Sequence, residues 1–237
     1  MNYPEWINEI FSSPRDKTII QTLNHKRVID LLTKRICDMI NNNKIVYYNN
    51  KIVYYINEMV YEGYMSSTRM MDIVKALCET KQYKLIDKLL KSNVLHSNHK
   101  NHILTCGYVN DDLNFILAII NNHTSDFSTQ LDMIYNAIHN NANRIVIYLI
   151  RKYNIYNDDI IIYCIDNNME RAVIDIIQMG IIHNLENVFA SLCCNDNVKL
   201  VKEFMKVFPD INVTDGYGYA LINNFTDIVN YLQIFLK

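Results

Sequence analysis

A short apolar pattern returns six times along this chain at nearly constant spacing, and that recurrence restricts the fold more than any other feature. The copies are 85–90 (LIDKLL), 115–120 (FILAII), 146–150 (VIYLI), 173–177 (VIDII), 201–205 (VKEFM) and 229–232 (VNYL). Their first residues lie 30, 31, 27, 28 and 28 positions apart. Nine residues before each stands Ala76, Cys106, Ala137, Cys164, Leu192 or Ala220. All but Leu192 are small, as a helix pressed closely against a neighbour requires. Five residues before each copy stands Thr80, Asn110, Asn141, Asn168, Asp196 or Asn224. After Gly, Asn and Asp best tolerate the left-handed conformation that ends a helix. The period therefore predicts six helix pairs, each with a small residue on its first helix and a tight turn before its second. No such unit can bury its apolar face alone, so stability comes from neighbour packing on neighbour.

The last copy is the most explicit. Residues 210–218 (DINVTDGYG) are expected as an extended polar turn, followed by a short helix centred on Ala220 and Leu221, a turn at Asn224, and a second helix over 227–232. This unit resembles an ankyrin repeat, with its D-x-N-x-x-D-x-x-G finger, A-A helix, Gly turn and E-[IV]-V-x-x-L helix. The period of 27–31 is shorter than the usual ankyrin length, T-P-L-H is missing, and only the last unit keeps a D-x-x-G finger. The resemblance implies an all-α fold, an ankyrin-like solenoid of stacked helix pairs with short or missing β-fingers. Residues 66–237 would hold six repeats, 18–65 degenerate repeats or capping helices, and 1–17 (with Pro4, Trp6, Phe11 and Pro14) an N-terminal cap, all in a single solenoid domain.

Two earlier segments echo the pattern. Residues 27–32 (RVIDLL) parallel 84–89 (KLIDKL), and 50–56 (NKIVYYI) parallel 143–149 (NRIVIYL), which would raise the count to eight. The tandem 44–55 could instead form a hairpin about Asn49 and Asn50. A helix is favoured, because the second copy falls in register with the repeat. The apolar end, Ile234-Phe235-Leu236, is expected to pack back on the last repeat.

Half of the 237 residues are apolar and the formal net charge is −2, with acidic and basic residues scattered. A substantial core is affordable at this length, and the clustered basic face of an electrostatic nucleic-acid binder is not apparent. Six cysteines lie in mostly apolar segments without disulfide-framework spacing, which suggests reduced, packed thiols and a cytoplasmic setting. The first residues lack a signal-peptide pattern, and no apolar run is long enough to span a bilayer. Abundant Ile, Asn, Lys and Tyr with scarce Gly, Pro and Ala reflect AT-rich coding. The chain thereby resembles the ankyrin-repeat proteins of large AT-rich DNA viruses, of the giant-virus and poxvirus type.

Sequence motifs for chemistry are few. There is no G-x-S-x-G, Walker A, H-E-x-x-H or post-strand G-x-G-x-x-G pattern, so no enzyme is expected. His96, His99, His102 and Cys106 are spaced so that some could share a helix face and hold zinc. Polar loop residues and a packed cysteine account for them as well, and neither metal nor cofactor is expected. Cys193-Cys194 is read as structural, since only Lys199 is near enough in sequence to lower a thiol pKa.

The ankyrin resemblance places a binding face two and three residues after each small residue. The positions are Cys78 and Glu79, Tyr108 and Val109, His139 and Asn140, Asp166 and Asn167, Cys194 and Asn195, Ile222 and Asn223. Tyr108 and Ile222 would serve as anchors of a moderately polar interface. The implied function is a non-catalytic module, monomeric and cytoplasmic, binding a host protein, without nucleic-acid or membrane contact. A helical scaffold for nucleic acid and a self-assembling structural protein are the alternatives.

Overall fold

A computed structural model describes residues 25–41, 45–122 and 127–236, together with Ile7 and Ile10. Apart from Ile7 and Ile10, the expected N-terminal cap over 1–17, with Pro4, Trp6, Phe11 and Pro14, lies outside the described residues. The fold is all-α, with fourteen α-helices and no strand among the described residues. They are α1 (His25–Asn41), α2 (Ile45–Tyr61), α3 (Ser67–Glu79), α4 (Tyr83–Lys91), α5 (Ser97–Val109), α6 (Leu113–Ile120) and α7 (Phe127–His139). Then come α8 (Asn143–Tyr153), α9 (Asp158–Asp166), α10 (Glu170–Met179), α11 (Leu185–Cys193), α12 (Val198–Val207), α13 (Thr214–Ile222) and α14 (Thr226–Leu232), with a 3-10 turn at Gln233–Phe235.

Four of the second helices bury residues at i, i+1, i+4 and i+5, the stripe that one face of a 3.6-residue helix presents. In α4 these are Leu85, Ile86, Leu89 and Leu90; in α10, Ala172, Val173, Ile176 and Ile177; in α12, Leu200, Val201, Phe204 and Met205. The turn into the second helix is equally regular. Lys81, Asn141, Asn168 and Asn224 have φ of 54°, 54°, 56° and 59°. The next residue forms an inverse γ-turn, with φ near −84° and ψ between 59° and 78° at Gln82, Ala142, Met169 and Phe225. The N–H groups of those four residues donate to the carbonyls of Leu77, Ala137, Cys164 and Ala220, each at 2.9 Å.

These bonds correct the repeat register. Leu77, not Ala76, is the counterpart of Ala137. In the following pair Asp111 holds φ of 46° and its N–H bonds to Tyr108, as Asn141 bonds to Ile138, so Gly107 takes the place expected for Cys106. A Cβ on Gly107 would stand 2.9 Å from Ile116 Cδ1 and 3.1 Å from Phe115 Cβ, so this is where two helices touch. Thr80 and Asn110, expected in the left-handed region, each precede the residue that adopts it. At Asp196 the expectation fails altogether, since the turn over 194–197 contains no positive φ.

Two compact units divide the chain. One comprises Met1–Gly107 with Asn114–Thr124, the other Tyr108–Leu113 with Ser125–Lys237. In the first unit α1 packs on α3 and α2 on α4, while α1 and α2 also touch. The core gathers Val28, Leu32, Ile36 and Ile40 of α1, Ile52, Ile56 and Met59 of α2, and Ile73, Val74 and Leu77 of α3, with Ile7 and Ile10 also in it. Residues 45–61 form one helix, so the hairpin over 44–55 does not arise. Residues 27–32 sit on a helix that packs as a first helix does, whereas 84–89 lie on a second helix. Their likeness is therefore local, and α1 and α2 make one pair where two repeats had been counted.

In the second unit the first helices run α7–α9–α11–α13 in contact, and the second helices α8–α10–α12–α14 do likewise. Polar side chains of one pair cap the next. Asp111 accepts from the Arg144 and Ile145 N–H groups at 3.1 Å, and Asn143 Oδ1 accepts from Ala172 N–H at 3.0 Å. Asp158 accepts from His183 and Asn184 N–H groups at 3.1 and 2.7 Å. These acceptors satisfy backbone N–H groups that a helix start leaves without intrahelical partners.

The last unit departs from its expected finger. Residues 214–218 belong to helix α13, so Gly216 and Gly218 do not form the turn. Gly216 instead permits close approach: a Cβ there would lie 2.5 Å from Phe189 Cε1 and 2.8 Å from Cys193 Sγ. Ile234 is 77 % exposed and Phe235 touches Tyr231 while remaining 44 % exposed. The expected return of the apolar end onto the last repeat is thus partial, made by Phe235 on α14 while Ile234 stays in solvent.

Candidate functional site

The residues expected to form a binding face separate by burial. Glu79, Val109, His139, Asn140, Asp166, Ile222 and Asn223 are exposed, Asn167 and Asn195 half-buried. Tyr108 is 5 % exposed and Cys78 6 %, so neither lies on a surface. The register correction explains both. They are equivalent to Ile138 and Ile165, which follow the small residue by one position and point into the core. Among the described residues the buried Tyr108 hydroxyl has no hydrogen-bond partner, and burial, aided by Tyr153, pushes its pKa up.

Within the second unit, the C-terminal ends of α7, α9, α11 and α13 stand side by side. His139 Nε2 and the Tyr163 hydroxyl share a hydrogen bond of 2.9 Å between α7 and α9. Asn195, just past α11, donates through Nδ2 to the Ile165 carbonyl of α9 at 3.2 Å. Three further asparagines cap their own helices: Asn140, Asn167 and Asn223 donate to the carbonyls four residues earlier at 2.8, 2.8 and 2.9 Å. An amide used this way keeps its oxygen as an acceptor. Helix C-termini carry partial negative charge, and Asp166 adds a full one. The edge is thus rich in acceptors, with Ile222, 78 % exposed, at its α13 end; Val109, 64 % exposed, ends α5.

Basic groups on the second-helix side are local. Arg144, Arg151 and Lys152 of α8 line an open groove with Tyr148, whose ring lies 5.8 Å from Lys152 Nζ. On α10 and α12 the charges alternate, and Glu170 pairs with Lys199 as Glu203 does with Lys206.

The histidine-rich stretch also separates. His99 is fully buried: its Nδ1 accepts from the His96 N–H at 3.1 Å at the start of α5, and its Nε2 meets the Ser67 carbonyl at 3.1 Å. This pairing fixes the neutral tautomer with the proton on Nε2. The His96 ring lies exposed beside it, centroids 5.7 Å apart.

His102 and Cys106 come together as their i,i+4 spacing requires, with Cys106 Sγ 3.6 Å from His102 Nε2. The third member is Cys78, from the last turn of α3, and the three donor atoms lie within 4.8 Å of one another. Cys78 is buried, the other two half-buried. Burial foremost raises both thiol pKa values and lowers that of His102. Spacing along one helix could not have found Cys78, which lies 28 residues upstream.

Cys193 is fully buried, and desolvation with Cys194 beside it pushes its pKa up to about 12. Cys194 is exposed and also raised. Lys199 is engaged with Glu170. The pair therefore lacks the stabilised thiolate of a reactive cysteine. Cys37 and Cys164 are likewise raised by burial, to about 11 and about 12. No helix among the described residues is long and apolar enough to cross a membrane. No protein-family model, curated protein or solved structure matches this chain, so its internal repeat is the ground on which a functional reading stands.

Proposed function

We propose that this chain is a non-catalytic binding module, an ankyrin-like stack that holds another protein along the first-helix edge of its second unit. The observation that carries the reading is the alignment of four first-helix C-termini, which brings His139, Asp166, Asn195 and Ile222 to one edge. An acceptor-rich edge suits a partner that presents N–H donors or Lys and Arg side chains, with an apolar group for Ile222. Val109, in the same unit, remains exposed while Tyr108 is withdrawn from the surface, and Glu79, also exposed, belongs to the first unit and is not part of this edge. The compositional resemblance to proteins of large AT-rich DNA viruses extends the reading to a host protein met in the host cytoplasm.

The test is capture from host-cell lysate with the native chain and with a His139→Arg/Asp166→Arg/Ile222→Arg variant, after circular dichroism has shown both to be folded. Each captured protein is then titrated, purified, against both chains by calorimetry. A partner bound by the native chain and weakened at least about tenfold in the variant supports the module and locates its edge. Equal binding by both chains sinks the proposed edge.

A second reading has its own observation. Leu221, Ile222, Ile234, Phe235 and Leu236 leave the end of the second unit apolar and exposed, which favours self-association. Mass by light scattering that rises with concentration, and stops rising in Ile222→Asp/Ile234→Asp, would replace the monomer with an assembling protein.

A further inference from the structure

We propose that Cys78, His102 and Cys106 form a binding site for a borderline-soft divalent cation, zinc first among them, that clips α3 to α5. Two thiolates and a neutral imidazole are a donor set that zinc accepts. Zinc at about 2.3 Å from sulfur and about 2.0–2.1 Å from nitrogen, with tetrahedral angles, sets an S···N edge of roughly 3.6 Å. The Cys106 Sγ–His102 Nε2 distance is 3.6 Å. All three donors already fall within 4.8 Å, so little motion is required to close on an ion. Cys78 is buried while His102 and Cys106 are half-buried, which leaves the outer side for a fourth ligand from water.

The charges around the cluster are mixed but leave a cation welcome. The Glu79 carboxylate, one residue from Cys78, acts on all three donors in the sense that favours positive charge. The Lys75 ammonium opposes it at His102. Binding releases the two thiol protons and replaces them by one dication, which turns one buried and one half-buried neutral thiol into ligands. His96 and His99 take no part: the first is exposed, and the second spends both ring nitrogens on Ser67 and the start of α5.

Cobalt is the probe, because tetrahedral thiolate-bound Co2+ shows sulfur-to-metal charge transfer in the near ultraviolet and strong d–d bands in the visible. The full chain, reduced and kept free of oxygen, is titrated with Co2+ and then with Zn2+. The expected result is one tetrahedral cobalt per chain, displaced by zinc, and a thermal midpoint that rises on adding zinc. Cys78→Ser and Cys106→Ser each abolish the bands. His102→Gln, on a partly exposed face where misfolding is least expected, also abolishes them. Cys194→Ser and His96→Gln leave them intact. If the reduced native chain shows no such bands, or they persist in both serine variants, the site is wrong. A Cys78–Cys106 disulfide in protein purified without reductant, with no cobalt bound after reduction, would overturn it equally and leave a redox pair.

Discussion

Helix pairs α3/α4 of the first unit and α7/α8 of the second share one backbone turn yet fill it with different residues. Lys81 and Asn141 hold the same φ of 54°, and the residues that close the turn bond back to Leu77 and Ala137 at the same 2.9 Å. Where α7 carries Ala137 at this position, α3 carries Leu77 and α5 carries Gly107. The comparison teaches that what the two pairs keep is the hydrogen-bonded backbone turn and a second helix buried at i, i+1, i+4 and i+5. The identity of the small residue follows local packing. Side chains therefore slip against the pattern while the chain path does not.

The sharpest way to break this comparison is to exchange the two residues. Leu77 is fully buried in the core of the first unit. Leu77→Ala should cost about 2–5 kcal/mol, the transfer and cavity terms of a core leucine. Ala137, also fully buried, should tolerate Leu poorly, with a loss of about 1–3 kcal/mol from overpacking. Denaturant unfolding midpoints measure both. A harmless Leu77→Ala would mean that α3 does not close on its neighbours there and that Ala76 is the contact after all.

How much of this was open to a reader of the sequence follows from the same pair. The second helices were legible because their apolar residues recur with helical spacing and fill one stripe. The six-fold order was legible because that stripe recurs. In the first two pairs the register slipped by one because Ala76 and Cys106, both small, precede the residues that occupy the contact. Nothing in Lys81 advertises a left-handed conformation, whereas Asn141 does. Gly216 was misread for the opposite reason: Gly-x-Gly suggests a turn, but here the missing Cβ makes room for Phe189 and Cys193. Of the candidate edge, His139, Asp166 and Ile222 were accessible to the sequence because the second unit keeps the register. The Cys78–His102–Cys106 cluster was not, because it joins two helices that only the fold brings together.

A smaller effect tests the turn itself. A Lys in the left-handed region carries a steric cost that Asn largely avoids, so Lys81→Asn should stabilise and Asn141→Lys destabilise by about 1 kcal/mol each. Thr80→Gly separates the two registers. Thr80 has φ of −93°, and its hydroxyl donates to the Ala76 carbonyl at 2.7 Å. Gly there gains nothing from its freedom and loses that bond, so the thermal midpoint should fall. A rise would return the left-handed position to Thr80 and undo the correction.

The smallest expected change concerns the hydroxyl of Tyr108. In the second unit its counterparts Ile138 and Ile165 are apolar, and the position that all three share is buried. Of the three, only Tyr108 carries a polar atom there, and that atom has no hydrogen-bond partner among the described residues. Taking a hydroxyl out of water without a partner costs free energy, and replacing it by hydrogen in an otherwise identical ring removes the cost without opening a cavity. Tyr108→Phe should therefore range from neutral to about 1 kcal/mol more stable. Binding of any partner that uses the His139–Ile222 edge should be unchanged, because the ring lies beneath the surface. A clear loss of stability would mean that the hydroxyl is satisfied in solution. A loss of binding with stability intact would restore Tyr108 to the interface and place the repeat register of that pair one residue back.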